Sequence, residues 1–126
     1  MEVKMLHTCI RVKDLQKSIK FYTEALGLIE TRRKDFPDKK FTLVYLSNEV
    51  GGYEIELTYN YDTEAPYDLG NGFSHTAIGV EDLEAMREKH IAQGYEVSEF
   101  RGLSGNKAEY YFVTDPDGYR VEVIRQ

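Results

Sequence analysis

Apolar residues recur along this chain with two periods, and the switches between them lay out the fold. From Leu6 to Val12 every second residue, Leu6, Thr8, Ile10 and Val12, points one way. His7, Cys9 and Arg11 point the other, as in a half-buried strand. Asp14 follows at an N-cap position, with Lys17 rather than Glu three residues on, so the capping box is incomplete. Leu15, Ile19, Tyr22 and Leu26 then repeat at helical spacing, and Gly27 supplies a stop. The pattern next predicts a strand from Leu28, a turn around Phe36-Pro37-Asp38 and a strand over Phe41 to Leu46. A turn at Gly51-Gly52 and a strand over Tyr53 to Tyr59 complete this stretch. Asn60 to Gly72 is polar, carries Pro66, Gly70 and Gly72, and reads as a linker.

After the linker the pattern restarts. Phe73 to Val80 reads as a strand, and Asp82 caps a helix containing Leu83, Met86, His90 and Ile91 that Gly94 ends. A strand over Tyr95 to Phe100, a loop over Arg101 to Asn106 and a strand over Ala108 to Thr114 follow. Asp115-Pro116-Asp117-Gly118 forms a turn before a last strand over Tyr119 to Ile124. The restart is a repeat. Leu6 to Leu15 lies over Ser74 to Leu83 with six of ten residues identical, and Gly52 to Leu57 lies over Gly118 to Val123. The chain is therefore one α+β domain of paired βαβββ modules, residues 4–59 and 73–125, joined by linker 60–72. Neither module is large enough to bury its sheet alone.

Composition narrows the function. The 126 residues carry 16 Lys+Arg against 22 Asp+Glu, a net charge of −6, the wrong sign for a non-specific nucleic-acid or anionic-membrane binder. No apolar run reaches membrane-spanning length, and the first residues lack the apolar core of a secretory signal. A single cysteine excludes an internal disulfide framework, so a cytoplasmic protein is expected. No glycine pattern makes a nucleotide-binding loop.

The repeat places a histidine early and a glutamate late in each module: His7 with Glu56, His75 with Glu122. Strand parity sends Ile55, Leu57, Val121 and Val123 to the opposite face from these glutamates. The apolar residues then pack under a helix, and the His and Glu side chains share the other face. An ionised glutamate there needs a partner, because an unpaired buried carboxylate is costly. Two imidazoles and two carboxylates make an N2O2 set for a divalent metal, suited to Ni, Co, Zn, Mn or Fe without choosing among them. A duplicated scaffold that keeps these residues without a metal is the competing reading. Cys9 reads as a small buried hydrophobe rather than a nucleophile. Arg11 reads as a strand residue or an anchor for a substrate carboxylate, and Asn60 as a turn former or a substrate contact. His90 reads as a polar-face residue near a helix end.

These residues carry a family likeness. His7-Thr8 with Arg11-Val12, Phe21-Tyr22-Thr23 to Leu26-Gly27-Leu28, Glu56 to Asn60, His75-Thr76-Ala77 and Asp115 to Glu122 together resemble glyoxalase I, lactoylglutathione lyase, of the vicinal-oxygen-chelate superfamily. The resemblance covers nearly the whole chain and implies the glyoxalase/bleomycin-resistance fold. It implies metal ligands at His7, Glu56, His75 and Glu122. Extradiol dioxygenases and fosfomycin-modifying enzymes lack the first-module glutamate, and methylmalonyl-CoA epimerases usually have glutamine there, so Glu56 favours the glyoxalase branch.

The implied reaction isomerises the hemithioacetal of methylglyoxal and glutathione to S-D-lactoylglutathione through an ene-diolate. Glu122 is the expected principal base and Glu56 its partner. The expected cofactor is one divalent metal per site, Ni or Co ahead of Zn. Arg11 and Asn60 match positions near the thiol cosubstrate, and Arg101 and Lys107 are further candidates. The 101–107 segment departs from the family's glycine-valine-lysine-glycine-like run, and Tyr61 stands where Trp is common. These departures leave the thiol open between glutathione and another small thiol. The resemblance also implies a homodimer, with His7 and Glu56 from one chain completing a site with His75 and Glu122 of the other. A monomer pairing its own modules is the alternative. The competing functions are another metal-dependent member of the superfamily, an epimerase or thiol transferase, and a metal-free small-molecule binding protein.

Overall fold

The computed structural model describes residues 1–105 and 107–126, with only the backbone of Ser104. The chain divides into two compact units, Met1–Tyr67 and Asp68–Gln126. The first holds strand β1 (His7–Arg11), helix α1 (Leu15–Lys20), a π-helical turn (Phe21–Ala25), and strands β2 (Ile29–Phe36), β3 (Phe41–Ser47) and β4 (Glu54–Asn60). The second holds β5 (Thr76–Val80), α2 (Leu83–Ala92), β6 (Arg101–Ser104), β7 (Lys107–Thr114) and β8 (Arg120–Arg125). Each unit forms one four-stranded sheet, in the orders β1-β4-β3-β2 and β5-β8-β7-β6. In both, the first strand pairs parallel to the last and the other neighbours pair antiparallel. This is the pair of βαβββ modules expected from the repeat.

One face of each sheet is buried by the alternation read from sequence. Ile10, Val12, Val44, Leu46 and Leu57 are buried in the first unit with Phe21, Tyr22 and Ala25. Val113, Val121 and Val123 are buried in the second with Leu83. Both helices start as expected, the Asp14 carboxylate accepting from Lys17 N at 3.1 Å and that of Asp82 from Ala85 N at 3.0 Å. An N-cap of this kind contributes about 1 kcal/mol.

The first helix departs from the expected regular run to Leu26. It widens after Lys20, and Leu26 N bonds back five residues to Phe21 O at 3.2 Å. The stretch from cap to closing glycine explains the widening: Asp14 to Gly27 holds one residue more than Asp82 to Gly94. The π turn houses the extra residue. It also lets adjacent Phe21 and Tyr22 both be buried, and Thr23 Oγ1 donates to Ile19 O at 2.7 Å beside it.

Two expected elements in the second unit are corrected. Tyr95 to Phe100 is not a strand; only Val97 bridges to Val113. Side chains interrupt its ladder: Ser98 Oγ accepts from Phe112 N at 2.9 Å, and Arg87 Nε donates to Ser98 O at 3.0 Å. The expected loop over Arg101 to Asn106 instead begins as strand β6, paired antiparallel with β7; Asn106 lies outside the described residues. The strand expected from Phe73 begins only at Thr76. His90 is not a polar-face residue. It is fully buried, and Tyr111 Oη lies 2.8 Å from its Nδ1.

Candidate metal centre

Parallel pairing of β1 with β4 sets His7 opposite Glu54 and Cys9 opposite Glu56, so all four side chains share the open face of the first sheet. His7 Nε2 lies 3.2 Å from Glu56 Oε2. The same pairing of β5 with β8 sets Ala77 opposite Glu122, with His75 just before the strand, and His75 Nε2 lies 3.4 Å from Glu122 Oε1. The two carboxylates are 11% and 18% exposed, so each has lost most of its water and leans on its neighbours. Each unit thus builds the pair that its sequence implied.

A ring from the third strand of each sheet braces each pair. Tyr45 stands opposite Glu56 and meets the His7 ring edge-on, with centroids 5.8 Å apart. Phe112 stands opposite Glu122 and meets the His75 ring edge-on at 5.3 Å. An arginine covers each ring: the Arg32 guanidinium 3.7 Å above Tyr45, that of Arg120 3.8 Å above Phe112. Ser74 Oγ lies 2.7 Å from His75 Nδ1, and Nε2 is the ring nitrogen turned to Glu122. Sequence reading missed Tyr45, Phe112, Arg32 and Arg120. Their signal was strand parity, but it becomes usable only once the β3–β4 and β7–β8 registers are known.

The electrostatics differ between the units. The Tyr45 phenol is pushed up to about 12 by burial and by the neighbouring Glu56 carboxylate. Partial burial raises the Cys9 thiol and the neighbouring Glu56 carboxylate raises it further, against the contact with Thr58 that lowers it. Glu54 is held below the usual carboxylate range by its bonds from Arg32 and Thr31.

The remaining expected residues fall as follows. Cys9 is exposed on the open face, not a buried hydrophobe, with Sγ 3.1 Å from Thr58 Oγ1. Arg11 shares that face. Asn60 ends β4 on the same parity, and its Nδ2 donates to Tyr67 Oη at 3.0 Å, so its amide is already engaged. Arg101 lies on the open face of the second sheet, its guanidinium 5.7 Å over Phe112. Lys107 does not join it. Five residues before Phe112 on β7, it has the opposite parity, and its charge acts on Glu84 of α2.

The donor set fits a divalent metal, with imidazole nitrogens and carboxylate oxygens oriented together on a sheet face. Each unit by itself supplies two such donors. Among the described residues, no group of three or more His, Cys, Asp or Glu could hold a metal ion.

Comparison with known proteins gives a consistent picture. The family model of the Glyoxalase/Bleomycin resistance protein/Dioxygenase superfamily matches residues 4–123. A probable lactoylglutathione lyase of Synechocystis is 44% identical over 124 residues, 96% of this chain and 94% of that protein. A lactoylglutathione lyase of Neisseria meningitidis is 40% identical, over 98% of this chain and 91% of that protein. Among solved structures, the trypanothione-dependent glyoxalase I of Leishmania major superposes with a TM-score of 0.88 at 40% identity, covering 98% of this chain and 87% of that one.

Proposed function

This chain belongs to the glyoxalase I family of the Glyoxalase/Bleomycin resistance protein/Dioxygenase superfamily, and from that membership we propose a lactoylglutathione lyase whose site is built on His7, Glu56, His75 and Glu122. It converts the hemithioacetal of methylglyoxal and glutathione to S-D-lactoylglutathione. The observation that carries the site is the twice-built His–Glu pair, 3.2 Å in one unit and 3.4 Å in the other. Bound there, a divalent metal, Ni or Co ahead of Zn, supplies Lewis acidity to the two neighbouring substrate oxygens.

The chain's own groups do the rest. His7 and His75 present imidazole nitrogens, and Glu56 and Glu122 present carboxyl oxygens. Glu122 is the principal base: it takes the proton from the carbon bearing sulfur and returns it to the adjacent carbon. Glu56 is its counterpart on the other side of the substrate. Arg11 and Arg101 offset the carboxylates of the thiol, and Asn60 at the end of β4 is a polar neighbour already bonded to Tyr67; Lys107 lies on the other side of β7. Because each unit supplies two donors, two copies of the chain are expected to complete each metal site, the cytoplasm being the expected compartment.

Thioester formation from methylglyoxal and glutathione, followed spectrophotometrically with stripped protein reloaded with Ni or Zn, tests the reading. Turnover with either metal is expected, with Ni faster. Confirmed loading of both metals without turnover would reject glutathione hemithioacetal as the substrate. Gel filtration at one subunit mass, with full activity, would reject the shared site.

A further inference from the structure

The two glutamates stand in equivalent frames but not in equivalent surroundings. Glu56 faces Tyr45 across β3 and β4, which sets a phenol on the same open face as its carboxylate. Cys9 faces the same glutamate from β1, its Sγ 3.1 Å from Thr58 Oγ1. In the second unit Phe112 occupies the place of Tyr45 and Ala77 that of Cys9. Neither residue can donate to Glu122. The rings otherwise do the same work, each edge-on to its histidine and each under an arginine. The difference reduces to one hydroxyl and one thiol, on the two strands that flank one glutamate.

A carboxylate that accepts several hydrogen bonds has fixed rotamers and fewer lone pairs free for a proton. One held mainly by its histidine can swing away from a metal when substrate oxygens arrive. We infer that Tyr45, assisted by Cys9, is a positioning residue that fixes Glu56 as the standing metal ligand and thereby leaves Glu122 as the carboxylate free to detach and carry the proton. The inference rests on the proposed four-ligand site and adds to it the reason why the two glutamates divide the work.

Tyr45→Phe isolates the hydroxyl. It keeps the ring beside His7 and under Arg32, and its product already exists in this chain at Phe112, so folding is expected to be retained. Metal affinity is read by titration of the stripped protein with Ni, and ligand geometry by the visible spectrum of the Co form. Tyr45→Phe is expected to weaken Ni binding about 10- to 100-fold, the usual range when a group that orients a ligand is lost. It should also change the Co spectrum while leaving the melting temperature nearly unaltered. Cys9→Ala is expected to act in the same direction by a smaller factor.

Phe112→Tyr is the reciprocal change. By pinning Glu122 it is expected to lower kcat about tenfold, within the range of general-base effects, without weakening Ni binding. Superimposable Ni isotherms and Co spectra for Tyr45→Phe and the unaltered protein would overturn the inference while leaving the metal site standing. An unchanged kcat in Phe112→Tyr would equally overturn it. Failure of the unaltered protein to bind Ni or Co would overturn the site and the inference together.

Discussion

Where Tyr45 faces Glu56 across β3 and β4, Phe112 faces Glu122 across β7 and β8. One residue earlier on each strand the polarity reverses. Val44 is buried against Leu57 in the first unit, whereas Tyr111 is buried against Val123 in the second and bonds His90 at 2.8 Å. The first unit therefore carries its extra polar group on the open face, beside the His7–Glu56 pair. The second carries it in the core, under the sheet. Duplication preserved the frame of strands, caps and His–Glu pairs, and the two copies diverged in which side of one strand holds the hydrogen bond. A polar group on the open face acts on chemistry; one in the core acts on stability.

Replacement of the two glutamates is the largest expected break in this symmetry. Glu122→Gln is expected to lower kcat by about 10²- to 10⁴-fold with metal still bound. Glu56→Gln should cost less in kcat and more in metal affinity. Parallel kcat and metal-content measurements on both variants check this, and equal losses in both quantities would mean that the surroundings of the carboxylates do not divide their roles.

The core side of the comparison is tested by Tyr111→Phe. Loss of the phenol takes from buried His90 Nδ1 its bond to that hydroxyl, and the expected cost is about 1–3 kcal/mol of unfolding free energy. Urea unfolding measures it. Activity at 25 °C should be retained, because Tyr111 sits on the face away from Glu122. A variant as stable as the parent would show that the buried pair is neutral in the second unit.

The arginines sharpen the contrast further. Arg32 is fastened to Glu54, Nη2 to Oε1 at 3.0 Å, while Arg101 stands more loosely, 5.7 Å over Phe112. Arg101→Ala is expected to raise the KM for the hemithioacetal roughly tenfold, the worth of one charge-assisted hydrogen bond. Arg32→Ala should leave KM nearly unchanged. Steady-state kinetics on both variants, with kcat as the internal control, decides between the two arginines.

Much of this was legible in the residues before any coordinates. The restart at Ser74 exposed the duplication, the Asp14 and Asp82 caps located both helices, and the matched histidines and glutamates marked the two His–Glu pairs. What was not legible depended on register. The rings of Tyr45 and Phe112 and the arginines above them reach the site from neighbouring strands, and strand parity alone does not say which residue lies opposite which. The side of β7 on which Lys107 falls was hidden for the same reason. Cys9 looked like a packing residue because cysteine usually is one, and only the neighbouring Glu56 and Thr58 give it a polar role. The π turn had a signal that was overlooked, the one-residue difference between the two cap-to-glycine spans. In the Tyr95 to Phe100 segment, side chains of Ser98 and Arg87 took backbone partners, which no period in the sequence reveals.

The smallest expected effect compares two arginine–carboxylate pairs under acid. Glu54 in the first unit and Glu84 in the second are both held below the usual carboxylate range, mainly by hydrogen bonds from Arg32 and Arg125 respectively. A depressed carboxylate stabilises the folded state fully above its unfolded pKa of about 4.3, and that contribution fades as pH falls through the lower folded value. Both pairs should therefore lose stabilisation below about pH 4.3 and contribute a constant amount near neutrality. They should not do so equally. The Glu54 side chain is 13% exposed and also takes a bond from Thr31, whereas that of Glu84 is 55% exposed and open to screening by solvent and salt. Urea midpoints between pH 3 and pH 7 are expected to fall less steeply toward acid in Glu54→Gln than in the parent, with Glu84→Gln close to the parent. Added salt should narrow the gap between Glu84→Gln and the parent, and leave that of Glu54→Gln largely in place. The reverse ranking would mean that the shielded pair on the open face of the first sheet is no stronger than an exposed one.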